Sequence, residues 1–176
     1  MSARETGKRT AMCSTQQAQA SALTAHHVGF TVPDLEEAIT FFTRAFDARL
    51  LHRFEPAGSQ SDEDGWMERQ LGVDSKARMK IASMALGTMQ VEFFEYEVPH
   101  QRRNIPANSD WGGHHFALQV PDAIEPVLER IRTIPGVTVQ GEIQEVTDAT
   151  HPLKGVRWIY FRAPWGMQLE LFTPAD

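Results

Sequence analysis

The stretch His27-Val-Gly-Phe-Thr-Val-Pro-Asp34 returns as His115-Phe-Ala-Leu-Gln-Val-Pro-Asp122, 88 residues later (115 − 27), in a chain of 176 residues. A second pair repeats in the same order: Met89-Gln-Val-Glu-Phe-Phe94 is echoed by Met167-Gln-Leu-Glu-Leu-Phe172. One such match could be coincidence between two amphipathic strands. Two matches in register describe an internal duplication, and a duplication constrains the fold before any local propensity does. Each half opens on a strand that carries a histidine and closes on a strand that carries a glutamate.

The local pattern fills in the module. Alternation over 26–33 puts Val28, Phe30 and Val32 on one face and His27, Gly29 and Thr31 on the other. Asp34 stands where a helix cap belongs, with Glu37 three residues on, and Leu35, Ala38, Ile39, Phe42 and Phe46 fall on one helical stripe. The second copy predicts the same device: Asp122 as cap, Glu125 at the third position, and Ile124, Val127, Leu128 and Ile131 as the stripe. Pro126 is tolerated in the first turn, and Pro135-Gly136 ends the helix. Strands are expected over 48–55, 78–86 and 89–97 in the first half, and over 114–120, 137–146, 155–162 and 166–173 in the second, with a helix over 123–133. Each half is then β-α-β-β-β. The fold class is α+β: two βαβββ modules in tandem, forming a curved mixed sheet, a half-open barrel with its helices outside.

The boundaries follow. Residues 1–22 are polar and aperiodic and read as a flexible N-terminal arm, with a short amphipathic helix possible over Gln16–Leu23. The first module spans 24–97, a linker 98–112, and the second module 113–174. Residues 56–77 form a long excursion rich in turn formers, of the kind that usually has a function or is disordered.

Composition excludes several classes. A formal net charge of −6 with no basic stripe argues against a nucleic-acid partner. No apolar run reaches the ~18–20 residues of a membrane helix, so no membrane partner is expected. The first residues carry Arg and Lys but no apolar segment, unlike a secretory signal. The single cysteine, Cys13, allows neither an internal disulfide nor a zinc–thiolate site and fits a reducing cytoplasm. No phosphate loop, dinucleotide fingerprint or nucleophile elbow is present.

Four residues hold equivalent places in the two halves: His27, Glu92, His115 and Glu170. A histidine on a strand is ordinarily a hydrogen-bonded residue and nothing more. Inward-facing glutamates are harder to dismiss, because an unpaired buried carboxylate is costly. If the halves pack about a pseudo-twofold axis, two imidazoles and two carboxylates converge on one space. That set suits one divalent metal ion such as Zn, Ni, Co, Fe or Mn, with positions left for substrate oxygens. Smaller possibilities are a flap at His151, a pocket lined by Trp66, Tyr96, Trp158, Tyr160 and Trp165, and an anion contact at Arg102-Arg103, where an ordinary solvated linker is the simpler reading.

The repeated module, the His27 stretch, Gly113-His-His115 and Trp165-Gly-Met-Gln-Leu-Glu-Leu-Phe172 resemble the vicinal oxygen chelate superfamily, which includes glyoxalase I, methylmalonyl-CoA epimerase, extradiol dioxygenases and fosfomycin-resistance enzymes. The resemblance covers about residues 24–174. It implies paired modules curling around a metal, with His27 and His115 as ligands, His26 and His114 on the opposite strand face, and Glu92 and Glu170 at the remaining ligand positions. It also implies substrate oxygens chelated by the ion and a proton moved next to a carbonyl, with Glu170 the first choice for the base and Glu92 the second. An isomerase or epimerase similar to methylmalonyl-CoA epimerase leads. The alternatives are a glyoxalase I-like lactoylglutathione lyase, an extradiol-type Fe(II) dioxygenase, and a non-catalytic small-molecule binding protein. A small-molecule substrate and a homodimer are expected, the latter because exposed sheet edges favour pairing.

Overall fold

The structure, a computed structural model, describes residues 24–55 and 65–175. The N-terminal arm, its possible helix and residues 56–64 of the excursion lie outside the described residues.

The first module runs β1 (His27–Thr31), α1 (Leu35–Phe46), β2 (Arg49–Phe54), α2 (Trp66–Leu71), β3 (Arg78–Leu86) and β4 (Met89–Glu97); the second runs β5 (Phe116–Gln119), α3 (Ile124–Arg132), β6 (Thr138–Glu145), β7 (Arg157–Arg162) and β8 (Gln168–Thr173). Each forms a four-stranded mixed sheet, ordered β1-β4-β3-β2 and β5-β8-β7-β6. The duplication is thus a duplication of topology. In both modules the first strand lies parallel to the last and the other pairs are antiparallel. The tandem βαβββ expectation holds, but as two separate sheets, with no ladder joining them among the described residues.

One apolar core serves both modules. Phe41, Phe42, Phe93, Phe161, Ile131, Ile159 and Leu171 are all buried in it. α1 and α3 touch each other as well as their own sheets. Aromatic rings stitch the halves: Phe30 lies 5.4 Å from Phe116, and Phe41 5.4 Å from Trp165, centroid to centroid. Alternation sets which side of each sheet faces this core. Val91 and Phe93 are fully buried on β4, while Glu92 between them is not.

The two helix starts differ. Asp34 caps α1 as expected, its side chain accepting a hydrogen bond from the Glu37 N–H at 2.8 Å. In the second copy the cap is Ala123, with no side-chain hydrogen bond, and Asp122 falls one residue outside the helix. Pro126 explains the shift. With Asp122 as cap, Pro126 would occupy the fourth helical position, where an N–H is needed to bond the cap carbonyl. With Ala123 as cap it occupies the third, where the N–H has no intrahelical partner to lose. A second difference is α2, a single short helix inside the excursion, bounded by Gly65 and Gly72, both at φ 66°. Glycine reaches that backbone region without steric penalty.

Candidate active site

β1 and β4 run parallel with Gly29 opposite Glu92, so His27, two residues earlier on the same face, stands beside that carboxylate. The second module repeats this register: Ala117 pairs with Glu170, and His115 lies two residues before Ala117. The outcome is two matching pairs. His27 Nε2 is 3.6 Å from Glu92 Oε2, and His115 Nε2 is 2.9 Å from Glu170 Oε2. The histidine side chains are 46% and 38% exposed and the glutamates 23% and 14%, so all four can be reached from solvent and the second pair is the more enclosed.

The structure brings the four predicted residues together as two pairs and not as one cluster. Among the described residues no group of three or more His, Cys, Asp or Glu side chains is gathered as a metal ion would require. Each pair nonetheless has the chemistry of half a site. Two ligands bound cis to one ion at about 2.1 Å stand about 3 Å apart, close to both separations. The donor set therefore fits a divalent cation if both pairs contribute.

The neighbours of the pairs differ. Glu92 lies opposite Ser83, which is fully buried and donates a hydrogen bond to Glu92 Oε1 at 3.1 Å. Glu170 lies opposite Tyr160 across the ladder. Burial first, then the Glu170 charge, pushes the Tyr160 phenol above its ordinary value. The Tyr160 ring also meets His115 edge-on at 5.1 Å and packs on Trp158 at 5.3 Å. His27 leans instead on its sequence neighbour, with His26 and His27 Nδ1 atoms 2.9 Å apart. His114 turns the other way: its ring stacks on Phe30 at 5.9 Å and its Nδ1 lies 3.1 Å from the Gly112 carbonyl.

A cleft of about 820 Å³ opens along β1 under residues 101–106, with Thr31, Tyr96, Arg102, Arg103, Trp165 and Gln168 in its walls. None of the four histidine and glutamate residues of the pairs lines it. Arg102 and Arg103 stand at this cleft and are themselves exposed, as in a solvated linker; of the aromatics offered as a pocket lining, Tyr96 and Trp165 line it and Trp158 and Tyr160 do not. Burial pushes the Tyr96 phenol up. His151 sits in a surface turn, its Nδ1 accepting from the Leu153 N–H at 3.1 Å. Ser83 was not evident among the candidate residues, although counting back from the two-residue turn at Gly87-Thr88 places it opposite Glu92. Trp66 and Leu71, at the two ends of α2, are partly exposed.

Comparison with known proteins bears on the family and the fold. The family model of the Glyoxalase/Bleomycin resistance protein/Dioxygenase superfamily matches residues 24–171. A 2-epi-5-epi-valiolone epimerase from an Actinomyces species is 46% identical over 153 residues, spanning 86% of this chain and 80% of that protein. Among solved structures, a glyoxalase family protein from Bacillus cereus superimposes with a TM-score of 0.68 at 21% identity, covering 90% of this chain and 99% of that one. The fosfomycin resistance protein FosX from Listeria monocytogenes, in complex with Mn(II) and sulfate, gives a TM-score of 0.53 at 18% identity over 89% of this chain and 95% of that one. At such identities the last two speak for the fold.

Proposed function

We propose that this chain, which belongs to the Glyoxalase/Bleomycin resistance protein/Dioxygenase superfamily, is an epimerase that inverts a stereocentre next to the carbonyl of a small hydroxy ketone of the 2-epi-5-epi-valiolone type. The observation that carries the reading is the 46% identity with an epimerase of that name, joined to an intact His–Glu pair in each module. It keeps the epimerase class expected by resemblance to methylmalonyl-CoA epimerase and gives it a substrate class.

His27, Glu92, His115 and Glu170 would hold one divalent cation. When bound, such an ion polarises a substrate carbonyl, an effect of several kcal/mol on the charge that develops there. The chain's own groups do the rest. Glu170 takes the proton from the carbon beside the carbonyl, and Glu92 is the second acid–base group. Two carboxylates on different modules can address the two faces of a planar carbon, as inversion requires. Imidazoles at His27 and His115 keep each carboxylate oriented.

The two pairs are separate in one chain, so the reading includes a homodimer in which the first pair of one protomer meets the second pair of its partner. β1 and β5 are edge strands, and each pair is open to solvent, which favours such pairing. No described helix is long and apolar enough to cross a membrane.

The test is isotopic. Purified chain with 2-epi-5-epi-valiolone in D2O should place one deuterium at the carbon that inverts, with no net redox change, and metal analysis should find about one divalent ion per chain. Absence of both exchange and inversion rejects the epimerase. Oxygen uptake with iron points to the dioxygenase instead.

A further inference from the structure

The row that crosses the first sheet at Glu92 does not stop at Ser83. Glu92 pairs with Ser83, and Ser83 in turn pairs with His52 on the edge strand β2. A bulge makes that pairing. Leu50 lies opposite Met84 and His52 opposite Ser83, so Leu51 is an extra residue. Without it, His52 would stand opposite Ala82, on the side where Ala82 and Met84 are fully buried in the core. With it, the next residue, Arg53, takes that side and forms an ion pair with Glu36 of α1. His52 therefore shares the face of Ser83 and Glu92, and it is exposed there. The second module ends the matching row differently. Glu170 pairs with Tyr160, and Tyr160 with Gln140, which is tied to its own sheet by a hydrogen bond from the Gln168 side chain.

We propose that His52 is a further substrate-contacting residue: its imidazole hydrogen-bonds a ring hydroxyl on the side of the substrate away from the reacting carbonyl, and so sets specificity for a polyhydroxylated ring. This rests on the reading of the chain as an epimerase of a small hydroxy ketone. Two inter-strand steps separate the His52 and Glu92 backbones, roughly 10 Å in all. Side chains projecting from one face across that span leave room for one six-membered ring between them. A neutral imidazole both donates and accepts, which suits a hydroxyl. β2 closes one edge of the sheet, so His52 bounds the site on that side.

His52→Phe tests it on the full chain with 2-epi-5-epi-valiolone, because a ring remains and the hydrogen-bonding nitrogens go. KM should rise about 10-fold, the loss of one hydrogen bond to substrate, with kcat within about 2-fold of wild type. His52→Gln, which keeps a donor and an acceptor, should recover most of that loss. Arg53→Gln, one residue on and facing α1, should leave KM unchanged. A second measurement needs no turnover. The imidazole 1H–13C signal of His52, assigned as the one absent from both His52 variants, should shift when the same ketone is added. An unchanged KM in His52→Phe, a fall in kcat alone, or a His52 signal unmoved by saturating ketone overturns the proposal. If the wild-type chain does not invert the ketone, the epimerase reading fails, and the His52 signal alone decides the contact.

Discussion

The two modules share one strand order and one register at the His–Glu pairs, yet those pairs live in different company. In the first, a buried serine holds the carboxylate and the imidazole leans on His26. In the second, a tyrosine stands across the ladder from the carboxylate and its ring meets the imidazole edge-on. The register that places each histidine beside its glutamate comes from strand pairing and is common to both halves. What surrounds the pair comes from single side chains, which can change without disturbing the ladder. A duplicated fold can therefore keep two equivalent sets of functional groups while giving them unequal tasks.

The largest expected effect separates those tasks. Glu170→Gln should lower the rate of deuterium exchange by a factor on the order of 10² to 10⁴, the usual worth of a positioned acid–base group, and Glu92→Gln should cost less. Exchange assays at saturating substrate decide it. A reversed order would hand the base's role to Glu92 and invert the comparison. The next test asks whether the pairs cooperate between protomers. His27→Ala and His115→Ala should each be inactive alone. Unfolded together and refolded as a mixture, they should regain activity, because one of the two sites in a mixed dimer would have both histidines intact. Continued inactivity of a mixture shown to contain mixed dimers would place both pairs of a site within one chain.

These contrasts also show how far the sequence could be read. The hairpin of β3 and β4 is legible to the residue, since both runs meet at Gly87-Thr88 and a two-residue turn there fixes their register. The four chemical residues were legible from the repeat. Their separation into two pairs was not, because the way the modules meet depends on contacts such as Phe30 with Phe116 and Phe41 with Trp165, which join distant positions and leave no period in the sequence. Tyr160 could be suspected as a pocket aromatic, but its place opposite Glu170 follows from the irregular turn between β7 and β8, whose length the sequence does not dictate. α2 was missed because six residues between two glycines are too few to establish a helical period.

The helix starts give a smaller contrast of the same kind. Asp34→Ala removes a formed cap and should destabilise the chain by about 1 kcal/mol. Asp122→Ala removes a residue outside its helix and should stay within about 0.5 kcal/mol. Urea denaturation of both variants measures the difference. Equal losses would mean that Asp122 caps α3 in solution and that Pro126 does not set the boundary.

The smallest effect concerns what the second module does with the glutamate that no longer serves a capping box. Glu125 turns to Arg157, with Oε1 2.5 Å from Nη2. That hydrogen bond, followed by one from its own backbone, holds the Glu125 carboxyl below its ordinary value. A carboxyl whose value is lowered by folding stabilises the fold above its unfolded-state value, and the contribution disappears as acid protonates it in the folded state. Wild type should therefore exceed Glu125→Gln in urea midpoint at neutral pH, by a margin limited by solvent screening of this exposed pair. The margin should shrink on acidification through the carboxylate range. A margin for Glu125→Gln that stays constant into acid would assign its effect to packing along α3 and not to charge.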